Sequence, residues 1–277
     1  MRLRTWLLLV VVLALLAGAC GDDGAARVIN TWQDLKAGDA VAVQTWTTGE
    51  IWAKENLEPL GIVIRSFTQP ADCFTALEGG QVIGTIIDID PSLEAEATRP
   101  GLVVAQEIVT GEAYGFGVNP ANAALLTGIN AVFTEMLADG FYQATYDEWI
   151  ERAGASVLFE ASPPTTGAPV DQAGITTVEA GIPKIGSDIP YPPFEDFDAS
   201  GDAVGFDVDL MNEIARRLGL EPVWVDTDFD TIFTQLAQGT WDVVASATTI
   251  TAEREEMVNF TIPYFNANKA LTVRGGD

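Results

Sequence analysis

Between Trp241 and Phe260 the chain reads WDVVASATTITAEREEMVNF, and this stretch carries the most concentrated chemistry in the sequence. Trp241 to Ala245 is apolar and β-branched and reads as a buried strand. Ser246, Ala247, Thr248, Thr249 and Thr251 follow as small and hydroxyl residues. Thr251 has the form of an N-cap, with Glu253 in the first turn of a short helix. Arg254 shares that turn, where the helix dipole disfavours a cation unless an anion meets it. Hydroxyls, free backbone N–H groups and a guanidinium at one spot make a carboxylate site. The plainer reading is a strand, a polar turn and a surface arginine. Asp88 ends the apolar run Val82 to Ile87, and Asp188 opens the stiff aromatic loop DIPYPPFE, which also holds Tyr191 and Glu195.

Composition bounds what such a site could serve. The chain has 277 residues, 48% of them hydrophobic, with seven tryptophans, enough for one large domain or two lobes. Fourteen basic residues against 40 acidic ones give a formal charge of −26, which argues against nucleic acid and anionic lipid as partners. Without a single histidine there is no His-based triad and no His metal ligand. Arg2 and Arg4, the apolar run Trp6 to Leu16, and Leu16-Ala17-Gly18-Ala19-Cys20 read as a targeting segment. It resembles a bacterial lipoprotein signal, residues 1–19, with Cys20 as the lipidated first residue. The alternative is an ordinary secretory signal. Lipidation of Cys20 would leave Cys73 without a partner, as a small core residue.

The elements alternate. Strands are expected at Ala40 to Gln44, Ile62 to Ser66, Val82 to Ile87, Val103 to Val109 and Tyr114 to Val118, with helices between them. Two longer helices follow, near Ala121 to Asp139 and Tyr142 to Arg152. The segment 155–180, rich in Pro, Gly and Thr, reads as a linker. Beyond it come a strand at Lys184 to Ser187, an amphipathic helix from Phe206 to Leu218, a strand at Val223 to Val225 and a helix from Asp230 to Gln238. Phe74-Thr75-Ala76-Leu77 and Phe233-Thr234-Gln235-Leu236 share F-T-x-L, each flanked by a preceding strand, a following Gly and a following strand. That echo predicts two lobes built on one βαβ unit, with Asp88 and Ser246 at equivalent strand ends facing one cleft.

These motifs resemble the bacterial extracellular solute-binding proteins of family 3. IGSDIPYPPFE, GFDVDLMNEIARRLG, FDTIFTQLAQGTWDVVASATTITAER and VNFTIPYF match the family's first half. TWQDLKAGDAVAVQTWTTGEIWA, FTALEGGQVIGTIID, VVAQEIVTGEAYGFGV and FTEMLADGFYQATYDEWI match its second half. The family runs first half then second, and this chain runs second then first. The resemblance therefore implies an α/β, two-lobed periplasmic-binding-protein-like fold of type II (a Venus flytrap), circularly permuted. It divides the chain into a tether at 20–27, lobe 2 at 28–112, lobe 1 helices at 113–154, and the rest of lobe 1 at 181–277. A fusion of two half-receptors is the competing reading. With one hinge crossing cut near Asp277 and Arg27, leaving that near Glu112 to Gly115, a wider open state is expected.

The resemblance also implies roles. Arg254 would pair with a ligand α-carboxylate, aided by Ser246, Thr249 and the N–H groups near Ala247 and Thr251. Asp88 would hold the α-ammonium, with Thr47 and Thr48 adding contacts from lobe 2. Tyr191 and Phe229 would sandwich the ligand side chain, and Asp188 and Glu195 would sit near its distal end. Trp46 stands where the family usually has Gly, Gly49 where a longer polar residue is common, and Ile83 where Asp is usual. The implied function is a lipid-anchored extracytoplasmic receptor, held to the cell membrane through Cys20. It would capture a polar amino acid for an ABC transporter permease, with no cofactor, no metal and no catalytic residue. A monomer is expected, with a domain-swapped dimer as the alternative contact set. Two other readings compete: a dehydratase-like enzyme using Glu195 or Asp188 as general acid, and a sensor or decoy receptor without a permease.

Overall fold

The computed structural model describes residues 27–150 and 174–276. The signal segment 1–19, Cys20 and residues 155–173 of the expected linker lie outside them.

Lobe 2 begins with a 3-10 turn at Trp32–Asp34 and strand β1 (Ala40–Gln44), whose central residues are fully buried. Helix α1 (Thr48–Asn56) follows, with Thr47 as its N-cap, its side chain accepting from the Glu50 N–H. Strand β2 (Val63–Phe67) pairs parallel to β1. Helix α2 (Pro70–Glu78) starts with proline at its first position, where no N–H is needed. Strand β3 (Gly84–Asp88) returns on the other side of β1, again parallel. Helix α3 (Ile89–Thr98) leads into the long strand β4 (Leu102–Tyr114).

Lobe 1 opens with β5 (Gly117–Val118), α4 (Ala123–Asp139) and α5 (Phe141–Trp149). After residue 174 come β6 (Lys184–Ser187), the small hairpin β7 (Asp196–Phe197) and β8 (Ala203–Val204), and α6 (Phe206–Arg217). Then β9 (Val223–Asp226), α7 (Phe229–Ala237) and β10 (Val243–Val244) complete a second βαβ unit. The chain ends with α8 (Ala252–Glu255), β11 (Asn259–Phe260) and β12 (Phe265–Arg274).

The two five-stranded sheets run β2-β1-β3-β12-β4 and β11-β5-β10-β6-β9. In each, the strand on either side of the F-T-x-L helix pairs parallel with one central strand, β1 or β6. The echo in sequence is therefore an echo in topology, and the fold is the two-lobed type II architecture. The lobe 1 core gathers Tyr114, Phe116, Phe133, Tyr142, Phe194, Phe206, Tyr264 and Phe265. Lobe 2 packs two smaller clusters, one on each face of its sheet, and the fully buried Cys73 sits in one of them. Burial pushes the Cys73 thiol up to about 12, so it stays protonated and inert.

Three expectations need correction. First, Phe265–Arg274 does not belong to lobe 1: as β12 it lies between β3 and β4 in the lobe 2 sheet. Second, neither hinge crossing is cut. The chain passes between lobes at Tyr114 to Gly117 and again at Tyr264 to Phe265, and the crossings lie side by side, Phe265 in register with Tyr114. The expected wider opening loses its basis. Third, the end of the expected linker is packed against lobe 1. The Asn122 side chain donates to the Thr176 carbonyl, and the Val178 N–H donates to Asp242 Oδ1 at 2.9 Å.

Candidate functional site

The two βαβ units point the C-terminal ends of β1, β3, β6 and β10 at each other, where open α/β sheets bind ligands. Between them lies a narrow cavity that both lobes line. Lobe 2 lines it with Gln44, Thr47, Thr48 and Asp88, and lobe 1 with Asp188, Tyr191, Phe229, Ser246, Ala247, Thr249 and Arg254. Of the residues given a ligand role in sequence, Glu195 and Thr251 are missing from this wall.

Arg254 is 7% exposed. Thr251 Oγ1 caps its own N–H, Nη1 donates to the Thr249 carbonyl at 2.8 Å, and Nη2 donates across the cleft to the Trp46 carbonyl at 3.1 Å. Its guanidinium lies over the rings of Phe233 and Phe229, 4.7 and 5.3 Å from their centroids. Burial pulls its pKa down to about 10, against the opposing pull of Asp88 and Glu112, so it remains a cation at neutral pH. An antiparallel bridge sets Thr249 opposite Tyr114, with the hydrogen bonds made by the neighbouring residues. The edge of Thr249 used by Arg254 therefore faces the cleft.

Asp188, 3% exposed, is the acidic lobe 1 residue of the wall. Gln44 Nε2 donates to its Oδ2 at 2.6 Å and Gln69 Nε2 to its Oδ1 at 3.0 Å, both from lobe 2. Burial raises its pKa to about 6, partly offset by those two amide donors. Gln44 was not anticipated from sequence. Its position as the last residue of β1 was the available signal, since that strand end faces the cleft.

Asp88 accepts from the hydroxyls of Tyr114 at 2.5 Å and Tyr191 at 3.0 Å on Oδ2, and from Lys269 Nζ at 2.5 Å on Oδ1. Tyr191 is thus both a cleft wall and a link between lobes. Thr48 and Thr249 meet across the cleft through their hydroxyls at 3.4 Å. The Thr47 hydroxyl donates to the Gln44 carbonyl at 2.8 Å, which fixes the turn. Phe229 lines the cavity and covers the guanidinium rather than facing Tyr191 alone.

Two expectations fail on geometry. Glu195 is fully buried behind the wall, where its Oε1 accepts from Ser246 Oγ at 2.9 Å while that Oγ accepts from the Asp188 N–H at 2.9 Å. Burial beside Asp207 raises Glu195 well above an ordinary carboxyl, so it is held protonated. It cannot touch a ligand and cannot act as the acid of a cleft enzyme. The Ala247 N–H is likewise unavailable, because it donates to Asp207 Oδ2 at 2.8 Å. Sequence periodicity placed Asp207 at the start of an amphipathic helix but could not show that it turns inward to brace the clamp.

Trp46 and Ala247 both adopt the left-handed region, at φ 64° and 43°. The family's usual glycine at the first position is explained by that backbone. Gly49 sits in a crowded turn, where a Cβ would lie 3.0 Å from the Ile86 carbonyl oxygen. Among the described residues no group of His, Cys, Asp and Glu could hold a metal, and no helix is long and apolar enough to cross a membrane.

Comparison with known proteins agrees with this geometry. Residues 184–277 match the family model "Bacterial extracellular solute-binding proteins, family 3". A probable histidine-binding protein of Campylobacter jejuni is 41% identical over 95 residues, covering 34% of this chain and 37% of that protein. The lysine/arginine/ornithine-binding periplasmic protein of Escherichia coli is 37% identical over 93 residues, covering 34% and 36%. Among solved structures, the arginine-bound form of truncated ArgBP from T. maritima is 47% identical, covering 27% of this chain and 36% of that one, with a TM-score of 0.27. The chain spans little more than a third of the length of the curated relatives it matches. The stretch from Lys184 to Asp277, which carries Arg254 and most of the cleft wall, is the part of the chain that matches the bacterial extracellular solute-binding proteins of family 3.

Proposed function

We propose that this protein is an extracytoplasmic receptor that closes its two lobes around a polar amino acid and delivers it to an ABC transporter permease. The observation that carries this reading is the cavity between the lobes, whose wall holds both the Arg254 cation and the Asp188 carboxylate. A ligand carboxylate would take the donors that Arg254 does not spend on carbonyls. A cationic or amide side chain would lie between Tyr191 and Phe229 and reach Asp188. The names of the matched relatives, which bind histidine, lysine, arginine and ornithine, support a ligand of that class. The name of the Escherichia coli relative supports placement outside the cytoplasm. Anchoring through a lipidated Cys20 and the permuted order of the halves complete the proposal.

Binding needs no bond to be made or broken. Closure would come from contacts that both lobes make, which favour the closed state only in proportion to differential affinity. The dehydratase-like reading loses one of its two proposed acids, since Glu195 is sealed behind Ser246, and keeps only Asp188 in the cleft wall. The test is calorimetry of the purified protein against the twenty amino acids, with Arg254→Ala alongside. Binding of one or a few polar amino acids, lost in the variant, is expected. A well-folded protein that binds none of them would sink the reading.

A further inference from the structure

Lys269 has no part in the site as sequence read it, yet it is a fully buried lysine at the back of the cleft. It lies on β12, in register with Asp88 of β3. On its other side the ladder to β4 is irregular: Lys269 pairs with Ile108, while Ala267, two residues earlier, pairs with Glu112. The extra residues bulge out of β4 around Gly111, at φ 71°, and bring the Glu112 carboxylate to Lys269 Nζ at 2.9 Å. A buried ammonium demands such anions. Here one cation sits between two carboxylates, Asp88 and Glu112.

The consequence falls on Asp88. Its carboxylate accepts from Tyr114, Tyr191 and Lys269. A ligand ammonium would have to share Oδ1 with a like charge at contact distance, which is unfavourable. Arg254 is in the opposite condition. A guanidinium has five N–H donors, and the hydrogen bonds to Thr249 and Trp46 use only a part of that set. The carboxylate anchor is open and the ammonium anchor is filled from within.

We propose that Lys269 is a built-in counter-ion of Asp88, so that the cleft selects a carboxylate with a suitable distal group and is nearly indifferent to the α-ammonium. The ligand class then extends from amino acids to carboxylates that lack the amino group. This rests on the receptor reading above, and the test separates the two. The purified protein is titrated with L-arginine, with 5-guanidinopentanoate, which lacks only the α-amino group, and with agmatine, which lacks the carboxylate. The first two should bind within about tenfold of each other, a difference of about 1.4 kcal/mol, and agmatine should not bind measurably. Lys269→Met should free Asp88 and shift the preference toward arginine by about a hundredfold. A wild-type preference for arginine of a hundredfold or more overturns the proposal. If no guanidino carboxylate binds, the receptor reading is decided by the twenty-amino-acid titration above, and Lys269 is judged by thermal melting instead. Asp88→Asn and Lys269→Met should each lower Tm, and the double variant should melt no lower than the worse single. Additive losses would overturn the internal counter-ion even then.

Discussion

At the scale of single residues, Arg254 serves both the cleft and the fold. Its side chain joins the Thr249 carbonyl, two aromatic faces and the Trp46 carbonyl of the other lobe. A lysine could keep the charge but not the planar fork that meets a carboxylate and stacks on rings. Arg254→Lys is therefore expected to weaken binding nearly as much as Arg254→Ala, by about 2–5 kcal/mol, as seen by calorimetry. Retention of full affinity by the lysine variant would show that charge alone suffices. Trp46 offers a cleaner backbone test. Its side chain is 67% exposed, so little packing is lost on truncation, while its φ of 64° is costly for any residue with a Cβ. Trp46→Gly should be more stable than Trp46→Ala by about 1 kcal/mol in denaturant melts. Equal stabilities would mean that the left-handed turn carries no strain.

At the scale of elements, the loop from Asp188 to Glu195 and the start of α6 hold the lobe 1 side of the cleft together. Gly205, just before α6, has φ 135°, and a Cβ there would lie 2.3 Å from the Phe194 carbonyl oxygen. The close approach lets the N–H groups of Phe206 and Asp207 donate to the carbonyls of Pro193 and Phe194, each at 3.0 Å, and so sets Asp207 behind Ala247. Gly205→Ala should cost about 3 kcal/mol or more in chemical denaturation and loosen the loop that carries Tyr191. A loss below about 1 kcal/mol would show that the approach can relax.

The same elements show what sequence could and could not reveal. The strands Ala40–Gln44 and Lys184–Ser187 were legible to the residue, because buried β-branched runs end at polar turns. The F-T-x-L echo gave the paired topology, and with it the strand ends that face the cleft. The partition of β12 was not legible. A strand that leaves lobe 1 and inserts between β3 and β4 has the same local pattern as one that stays. The buried pairing of Asp88 with Lys269 was hidden for a like reason, since they are 181 residues apart in the chain. Expected and observed strands also differ where two segments, Val103 to Val109 and Tyr114 to Val118, prove to be the long β4 and the two-residue β5. Gly111 lies in the gap between the two expected segments, and the structure absorbs it as a bulge within one strand.

For the molecule as a whole, both interlobe crossings are intact and adjacent, so hinge motion should match that of an uncut two-crossing receptor. The molecule also holds several buried acids in a strongly acidic chain. Burial raises Asp188 to about 6 and Asp207 to about 7, and raises Glu195 as well. Their unfolded values lie near 4. Between about pH 4 and 7 the folded protein therefore binds more protons than the unfolded chain, and stability falls as pH rises through that window. The formal charge of −26 acts in the same direction, because protonation relieves self-repulsion in the compact state. Below that window Glu213 works in the opposite sense. Its hydrogen bonds to Arg216 and Arg217 hold it at about 2, so the stability it contributes is present above its ordinary value and is lost as pH falls toward 2. The melting temperature should thus climb from pH 8 to a maximum near pH 4–5 and fall beyond it, by calorimetry at fixed ionic strength. Glu195→Gln, which mimics the protonated carboxyl and keeps the acceptor for Ser246, should flatten the neutral limb without lowering the maximum. A melting temperature that rises steadily from pH 5 to 8 would show that these carboxylates are ionised at no cost, and that the acid braced behind Ser246 and Ala247 is not protonated.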